Sequence, residues 1–429
     1  MNKKPVCFPV VAQDAVNYLI GKYLADSQIR CVLRLNGRID ETMLQQAVWL
    51  SLDVEPILRC RFIEDGNYPV WELRKDLDIA DLFSVVETNN IDEELQKFID
   101  ARYDTDCQIK VRLIRTESDT VCIKINHACS DAAGLKQYLN LLASIYNQLC
   151  KGLQYVVEPR TSSRGQDQIF NIQHIANAVN EIMKTGTDPA QPTVAFPCKL
   201  REENERTFVA NKIYSVNNIA DYARNNDATV NDVLLTAFIR VVSKIAKIQN
   251  KTIAFNFTVD LRRYLPDRTS KTICNLSVIQ DITVNHDPTE SFDETLSRLV
   301  METKKIMRNY PGIKSAYSLE LAHEKMSIFK NVGMRFQQRQ KYFSSTGLCI
   351  PTLSNVGIIA DETTKFGLLK IDECYMVGPA VFSPGFAIIA STYDNTLTLT
   401  VNSFQSTMPK AMIEQFMNSM CNELSSLFK

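Results

Sequence analysis

Residues Thr120 to Gly134 read TVCIKINHACSDAAG. Val121, Ile123, Ile125 and His127 alternate with Cys122, Lys124 and Asn126, the period of a β-strand, so the two sets face opposite sides. Ser130 or Asp131 then caps a helix expected to run to about Cys150, with Leu135, Tyr138, Leu139, Leu142, Ile145 and Leu149 on its apolar face. His127 is thereby placed where a strand stops and before a helix begins, a junction at which rigid elements on both sides fix a side chain. Taken alone, a histidine at such a strand end reads equally as a half-buried side chain satisfied by local hydrogen bonds.

Upstream, Ile29 to Leu35 reads as a strand and Asn36-Gly37 as the turn after it. Asp40 is a helix N-cap, with Ile39 and Leu44 spaced for a hydrophobic staple. Leu44, Ala47, Val48 and Ser51 give that helix one apolar or small face. Glu55-Pro56 ends it, and Ile57 to Phe62 is expected to be extended. Downstream, from Lys151 to about Leu200, Pro159, Ser162, Ser163, Gly165, Gly186, Pro189 and Pro192 mark turns around one helix near Ile169 to Met183.

The pattern then strengthens again. A strand is expected near Phe208 to Tyr214, then a helix from Thr229, where Thr229 and Asp232 approximate a capping box before Val233, Leu234, Ala237, Phe238, Val241 and Ile245. Further strands are expected near Thr252 to Val259, Gly347 to Asn355, Ala380 to Tyr393 and Thr396 to Phe404. A long amphipathic helix is expected near Phe292 to Met307 and a last one from about Pro409. The chain thus divides into a first half, 1–165, a crossover, 166–200, and a second half, 201–429. The fold class is mixed α/β.

Bulk properties narrow the function. A chain of 429 residues exceeds one ordinary core, in agreement with two halves sharing a cleft. Its 48 basic and 49 acidic residues leave a formal charge of -1, which gives no reason to expect nucleic acid or an anionic membrane as the main partner. Met1-Asn2-Lys3-Lys4-Pro5 is basic but no continuous apolar segment follows, so no secretory leader is expected. No apolar run is long enough to span a bilayer. Twelve scattered cysteines without CxxC pairs read as reduced and mostly buried, which suits the cytoplasm. With four histidines, none grouped with cysteine at ligand spacing, no metal site is expected. His323-Glu324 lacks the second histidine of HExxH.

Four stretches in order carry a resemblance. Leu33 to Phe62, LRLNGRIDETMLQQAVWLSLDVEPILRCRF, resembles the opening of condensation domains and alcohol acyltransferases. INHACSDAAG, Ile125 to Gly134, resembles their HxxxDG signature. VDLRRYLP, Val259 to Pro266, with Asn275 shortly after, resembles a third shared element, and LSNVG, Leu353 to Gly357, a fourth. The chain therefore resembles the chloramphenicol acetyltransferase-like superfamily of acyltransferases, nearest to alcohol acetyltransferases and condensation-domain-like proteins.

That resemblance implies two such halves with the active site in a tunnel between them. It implies acyl transfer from coenzyme A or an acyl carrier protein to a hydroxyl or amine acceptor, with no permanently bound cofactor. His127 would be the general base and no acyl-enzyme would form. Asp131 would hold the histidine loop by pairing with Arg262, although as a residue in its own right it reads equally as the helix cap. Ser354 and Asn355 would stabilise the oxyanion or position the acceptor, or else form only a strand-end turn. Asn126, Ala132, Gly134 and Asn275 would belong to the substrate-binding surface. Asn126 stands where condensation domains carry the first histidine of HHxxxDG, and Ala132 where they carry glycine. The DFGWG element of plant-type members is absent. Cys129 reads as a packing residue rather than a nucleophile. His174, His286 and His323 read as surface or linker residues, and Lys304-Lys305 and Arg262-Arg263 equally as coenzyme A phosphate contacts or solvated charges. Two other functions compete: a condensation-like enzyme acting on carrier-bound substrates in a peptide or lipopeptide pathway, and a non-catalytic ligand binder.

Overall fold

The structure, a computed structural model, describes residues 6–64, 68–101, 106–184, 190–197, 206–248, 252–285, 287–325, 328–360, 364–404 and 408–428. His286 and part of the crossover, including Gly186 and Pro189, lie outside these residues.

The strand expected around Thr120 runs Asp119–Asn126, and all eight of its residues are buried. It lies between Gln28–Leu35 and Ile109–Arg115, both antiparallel to it, in a five-stranded sheet edged by Phe83–Glu87 and Ile371–Val377. Val121, Ile123 and Ile125 pack with Leu135, Tyr138, Leu139 and Leu142 of the helix Ala132–Cys150. Cys122, on the opposite face, joins Phe98, Ile99 and Tyr375. A central strand covered on both faces carries an apolar stretch in its middle, here Val121 to Ile125, for this reason. Lys124, the polar residue within that stretch, donates to the carbonyls of Phe98 (2.6 Å) and Ala101 (2.8 Å) at the end of the helix Ile91–Asp100. The last carbonyls of a helix are open to such donors, although burial pulls the Lys124 ammonium pKa down to about 5.

The helix Glu41–Val54 begins as the sequence predicts, with the Asp40 carboxylate accepting from the Met43 N–H at 2.9 Å. Leu44, Ala47, Val48, Ser51 and Leu52 are buried, and the helix packs against Ala132–Cys150. Burial of each large apolar side chain there contributes roughly 1.5–3 kcal/mol.

The second half is built on a six-stranded sheet in the order Ser277–Asn285, Thr252–Asp260, Thr352–Ile358, Ala387–Tyr393, Thr396–Phe404, Arg206–Tyr214. Its core includes the helices Val230–Ile245, Phe292–Arg308 and Lys410–Ser425. The Thr229–Asp232 capping box forms in full. The expectation of two mixed α/β halves around a cleft holds. The halves are not consecutive blocks, however, because Ile371–Val377 crosses from the later part of the chain to pair with Gln28–Leu35.

Some local expectations are corrected. Ile57 to Arg59 is not extended: Pro56–Arg59 forms a 3-10 turn, since proline's fixed φ suits the first helical position, and the strand is Cys60–Ile63. The strand expected from Gly347 starts only at Thr352, after Gly347 at φ +68° and Pro351, which has no N–H to give a ladder. The one expected from Ala380 starts at Ala387, beyond Pro384. The crossover helix is two, Asp167–Phe170 and Gln173–Lys184.

Candidate active site

The chain turns sharply after Asn126. The Asn126 side chain accepts from the Ala128 N–H (3.0 Å), and its carbonyl accepts from the Cys129 N–H (3.0 Å). This Asx-type turn frees His127 from the strand while its own N–H still reaches Ser27 O at 2.7 Å. His127 is half-buried and lines an open cleft between the two sheets. Its Nδ1 lies 3.0 Å from the Ser130 carbonyl. A carbonyl only accepts, so this contact, the shorter of two at Nδ1, requires a proton on Nδ1, and in the neutral ring Nε2 then carries the lone pair. The Asn17 amide, which donates to His127 O at 3.2 Å, also lies 3.3 Å from Nδ1, a longer contact than the one to Ser130 O.

Asp131 performs both of the roles open to it. Its Oδ1 accepts from the Gly134 N–H (2.8 Å), capping the helix. Its Oδ2 accepts from Arg262 Nη1 (2.8 Å) and from the N–H groups of Leu276 (2.7 Å) and Ser277 (2.9 Å). Burial alone would raise the carboxyl's pKa, but the Arg262 guanidinium and these hydrogen bonds outweigh it and hold the group below the usual carboxylate range. Arg262 is itself buried and also donates to Cys274 O (3.0 Å) and Asp260 (3.1 Å). The pair therefore ties the start of the first half's long helix to the second half.

The second half supplies the opposite wall. Thr352–Ile358 pairs with Thr252–Asp260 only at Asn256–Thr352 and Phe257–Leu353. Beyond that point the strands part, and Thr258 and Ser354, whose hydroxyls still meet at 2.9 Å, line the opening. A bulge follows at Asn355 to Gly357, with Gly357 at φ +68° and the Asn355 carbonyl oxygen Oδ1 accepting from the Gly357 N–H. Asn355 thus lines the cleft and shapes the turn as well.

Of the remaining predicted residues, Ala132 lines the cleft. Asn126, Gly134 and Asn275 lie behind it and shape the loop. A Cβ on Gly134 would stand 2.3 Å from Ser130 Oγ and 3.2 Å from Cys274 O, so the helix start and the 274 segment meet only over glycine. Asn275, fully buried, donates to the carbonyls of His127 (3.0 Å) and Ala128 (2.9 Å). Cys129 is buried, its Sγ donating to Asn126 O, and burial pushes its thiol well above the usual range. A thiol in that state packs and does not attack. Among the other histidines, His174 is exposed and neither it nor His323 lines the cleft. Lys304 and Lys305 pair on the surface with Asp227 and Glu302.

Three contributors lie outside the sequence reading. Asn17 and Asp14 come from the helix Ala12–Tyr23, in which Gln13, Asp14 and Asn17 are buried among Ala12, Ala15, Val16 and Leu19. Polar residues buried on every side erase the amphipathic period that would have shown it. Lys136 lines the cleft and donates to Val356 O in the bulge. Burial pulls its ammonium pKa down, although Asp260 and Asp131 oppose this. Its signal was spacing, one helical turn after Ala132 on the same face. Among the described residues no group of histidine, cysteine and carboxylate side chains is arranged to hold a metal ion, no cysteine forms a disulfide, and no helix is long and apolar enough to cross a membrane.

This geometry agrees with the comparisons. The family model of the condensation domain matches residues 26–310, more than half of the chain, and the protein belongs to the condensation-domain family. That family works by acyl and peptidyl transfer on carrier-bound substrates. Among solved structures, the epimerization domain from the third module of tyrocidine synthetase B matches with a TM-score of 0.69 at 13% identity, covering 99% of this chain and 96% of that one. Trichothecene 15-O-acetyltransferase from Fusarium sporotrichioides matches at 0.67 and 13%, covering 99% and 96%. Polyketide synthase associated protein 5 from Mycobacterium tuberculosis matches at 0.66 and 13%, covering 98% and 100%. At such identities the likeness shows the fold. No curated protein matches the chain in sequence.

Proposed function

We propose that the protein moves an acyl group from a thioester, carried on coenzyme A or on an acyl carrier protein, to a hydroxyl or amine, with His127 as the base. The observation that supports this reading is the Nδ1 contact to Ser130 O, which leaves Nε2 unprotonated on a side chain lining the cleft. Nε2 takes the acceptor's proton as its oxygen or nitrogen attacks the thioester carbonyl. The resulting oxyanion needs donors, and the Ser354 hydroxyl and Asn355 amide on the far wall are the candidates. When the tetrahedral centre collapses, the carbon–sulfur bond breaks and the imidazolium returns its proton to the departing thiolate. Asp131 carries no proton in this scheme; it is held by Arg262 and three backbone N–H groups.

The match to the condensation domain favours a carrier-bound donor over free coenzyme A. Asn126 separates the chain from the HHxxxDG pattern, since its amide closes the turn where a first histidine would stand. A non-catalytic binder is the weaker reading, because it gives no reason for a fixed tautomer on an accessible histidine. The test is thiol release from a panel of acyl-coenzyme A and acyl-carrier thioesters with alcohol and amine acceptors. His127→Ala is expected to lose about 10²–10⁴-fold in rate. Turnover by wild type together with an undiminished His127→Ala would overturn the mechanism.

A further inference from the structure

We propose that Asp14, which does not line the cleft, is a positioning residue that selects the tautomer of His127; its bearing on rate rests on the base reading above. Asp14 is fully buried, and both of its carboxylate oxygens are occupied. Oδ2 accepts from Trp71 Nε1 (2.9 Å) and Arg164 Nη1 (2.6 Å), and Oδ1 from Asn275 Nδ2 (3.1 Å) and Arg164 Nη2 (3.3 Å). One carboxylate thus gathers donors from three distant parts of the chain.

Two of those donors have a second task on the histidine loop. Arg164 Nη2 donates to Cys129 O at 2.7 Å, and its Nε to Ile273 O at 3.0 Å. Asn275 holds the carbonyls of His127 and Ala128, and Asn17, one turn on from Asp14, adds a second donor to His127 O. The carbonyls of residues 127, 128 and 129 are therefore taken, and the fourth, Ser130 O, is the one that Nδ1 meets. Among the described residues the buried Oδ1 of Asn275 has no hydrogen-bond partner, so nothing it accepts there fixes the amide's orientation. The amide is oriented from its donor side, by Asp14 and the loop carbonyls. With the carboxylate replaced by an amide, one of the two acceptor oxygens becomes a donor, and Asn275, Arg164 and Trp71 are left to share the other. The loop carbonyls then compete for donors, and Nδ1 exchanges its contact with Ser130 O for the Asn17 amide 3.3 Å away, which favours the other tautomer.

The experiment uses the full chain with ¹⁵N-labelled histidine. There are four histidines, and His127→Ala identifies the signal of interest. Wild type is expected to show one tautomer with the proton on Nδ1. Trp71→Phe removes a donor that touches no loop carbonyl and should keep that tautomer even where stability falls. Asp14→Asn should show a mixture of tautomers in a folded protein, with kcat lowered roughly 10- to 100-fold at unchanged KM. If Asp14→Asn fails to fold, Asn275→Ala, which leaves the Asp14–Arg164 pair in place, is expected to give the same mixture. A single Nδ1-protonated tautomer in whichever of these variants folds overturns the proposal. Loss of the tautomer alongside full activity of His127→Ala would sink the base reading and leave the positioning role standing.

Discussion

Asp131→Asn separates a structural carboxylate from a chemical one. The substitution preserves shape but halves the acceptor oxygens and removes the charge. In the wild type those oxygens serve Arg262, Gly134, Leu276 and Ser277, all within 2.9 Å. Asparagine can satisfy one side of this set, and its amide must face donors on the other. Arg262, 3% exposed, keeps the Cys274 carbonyl but has only Asp260 left as a charged partner, and the Asp260 side chain is 44% exposed. Removing one member of a buried ion pair costs about 3–5 kcal/mol, within which the lost helix cap accounts for about 1. The urea midpoint should fall on the order of 1 M. Far-UV circular dichroism reads both halves, and buried Trp71 reads the first. In an Arg262→Met background the same change should cost much less, giving a coupling energy above about 1 kcal/mol. An Asp131→Asn protein with the wild-type midpoint and lost activity would refute this reasoning and make Asp131 a participant in proton transfer.

Cys129→Ala should keep its rate in the thiol-release assay, because the thiol is buried and its pKa raised; inactivation without unfolding would restore the nucleophile. Acid should destabilise the fold through Asp131 and Asp26. Burial would raise both carboxyls, but Arg262 for the one and Arg30 with Arg206 for the other hold them below their ordinary 3.8. The unfolded chain then binds more protons below that value, so stability is complete above it and is lost as pH falls through the depressed folded values. Urea midpoints measured from pH 5 to pH 2 should fall, and less steeply in Asp131→Asn; parallel profiles would contradict the assignment. Asp40→Ala should cost about 1 kcal/mol through the lost cap and leave thiol release unchanged.

The strand Asp119–Asn126, the cap at Asp131 and the partner Arg262 were all legible, because each rests on local pattern or on motif order. The cleft wall at Ser354 and Asn355 was legible as a motif, yet the parting of its strand from Thr252–Asp260 is a matter of sheet geometry that no single segment encodes. The helix Ala12–Tyr23 stayed hidden because its buried Gln13, Asp14 and Asn17 read as surface residues. Asn126 and Asn275 were recognised as belonging to the site, but sequence could not show that they hold the loop from behind. Ile371–Val377 pairs across most of the chain's length, and long-range pairing leaves no periodic trace at either partner.

That last strand bears on how the protein is made. Gln28–Leu35 leaves the ribosome more than 300 residues ahead of its neighbour Ile371–Val377. At ordinary synthesis rates the interval is on the order of 20–70 s. Throughout it, one side of Gln28–Leu35 presents unpaired N–H and carbonyl groups, the kind of edge on which chains aggregate. A nascent or truncated chain ending before residue 371 would keep that edge open, so yield in a cell should depend on translation speed and chaperone supply as well as on the stability of the finished fold.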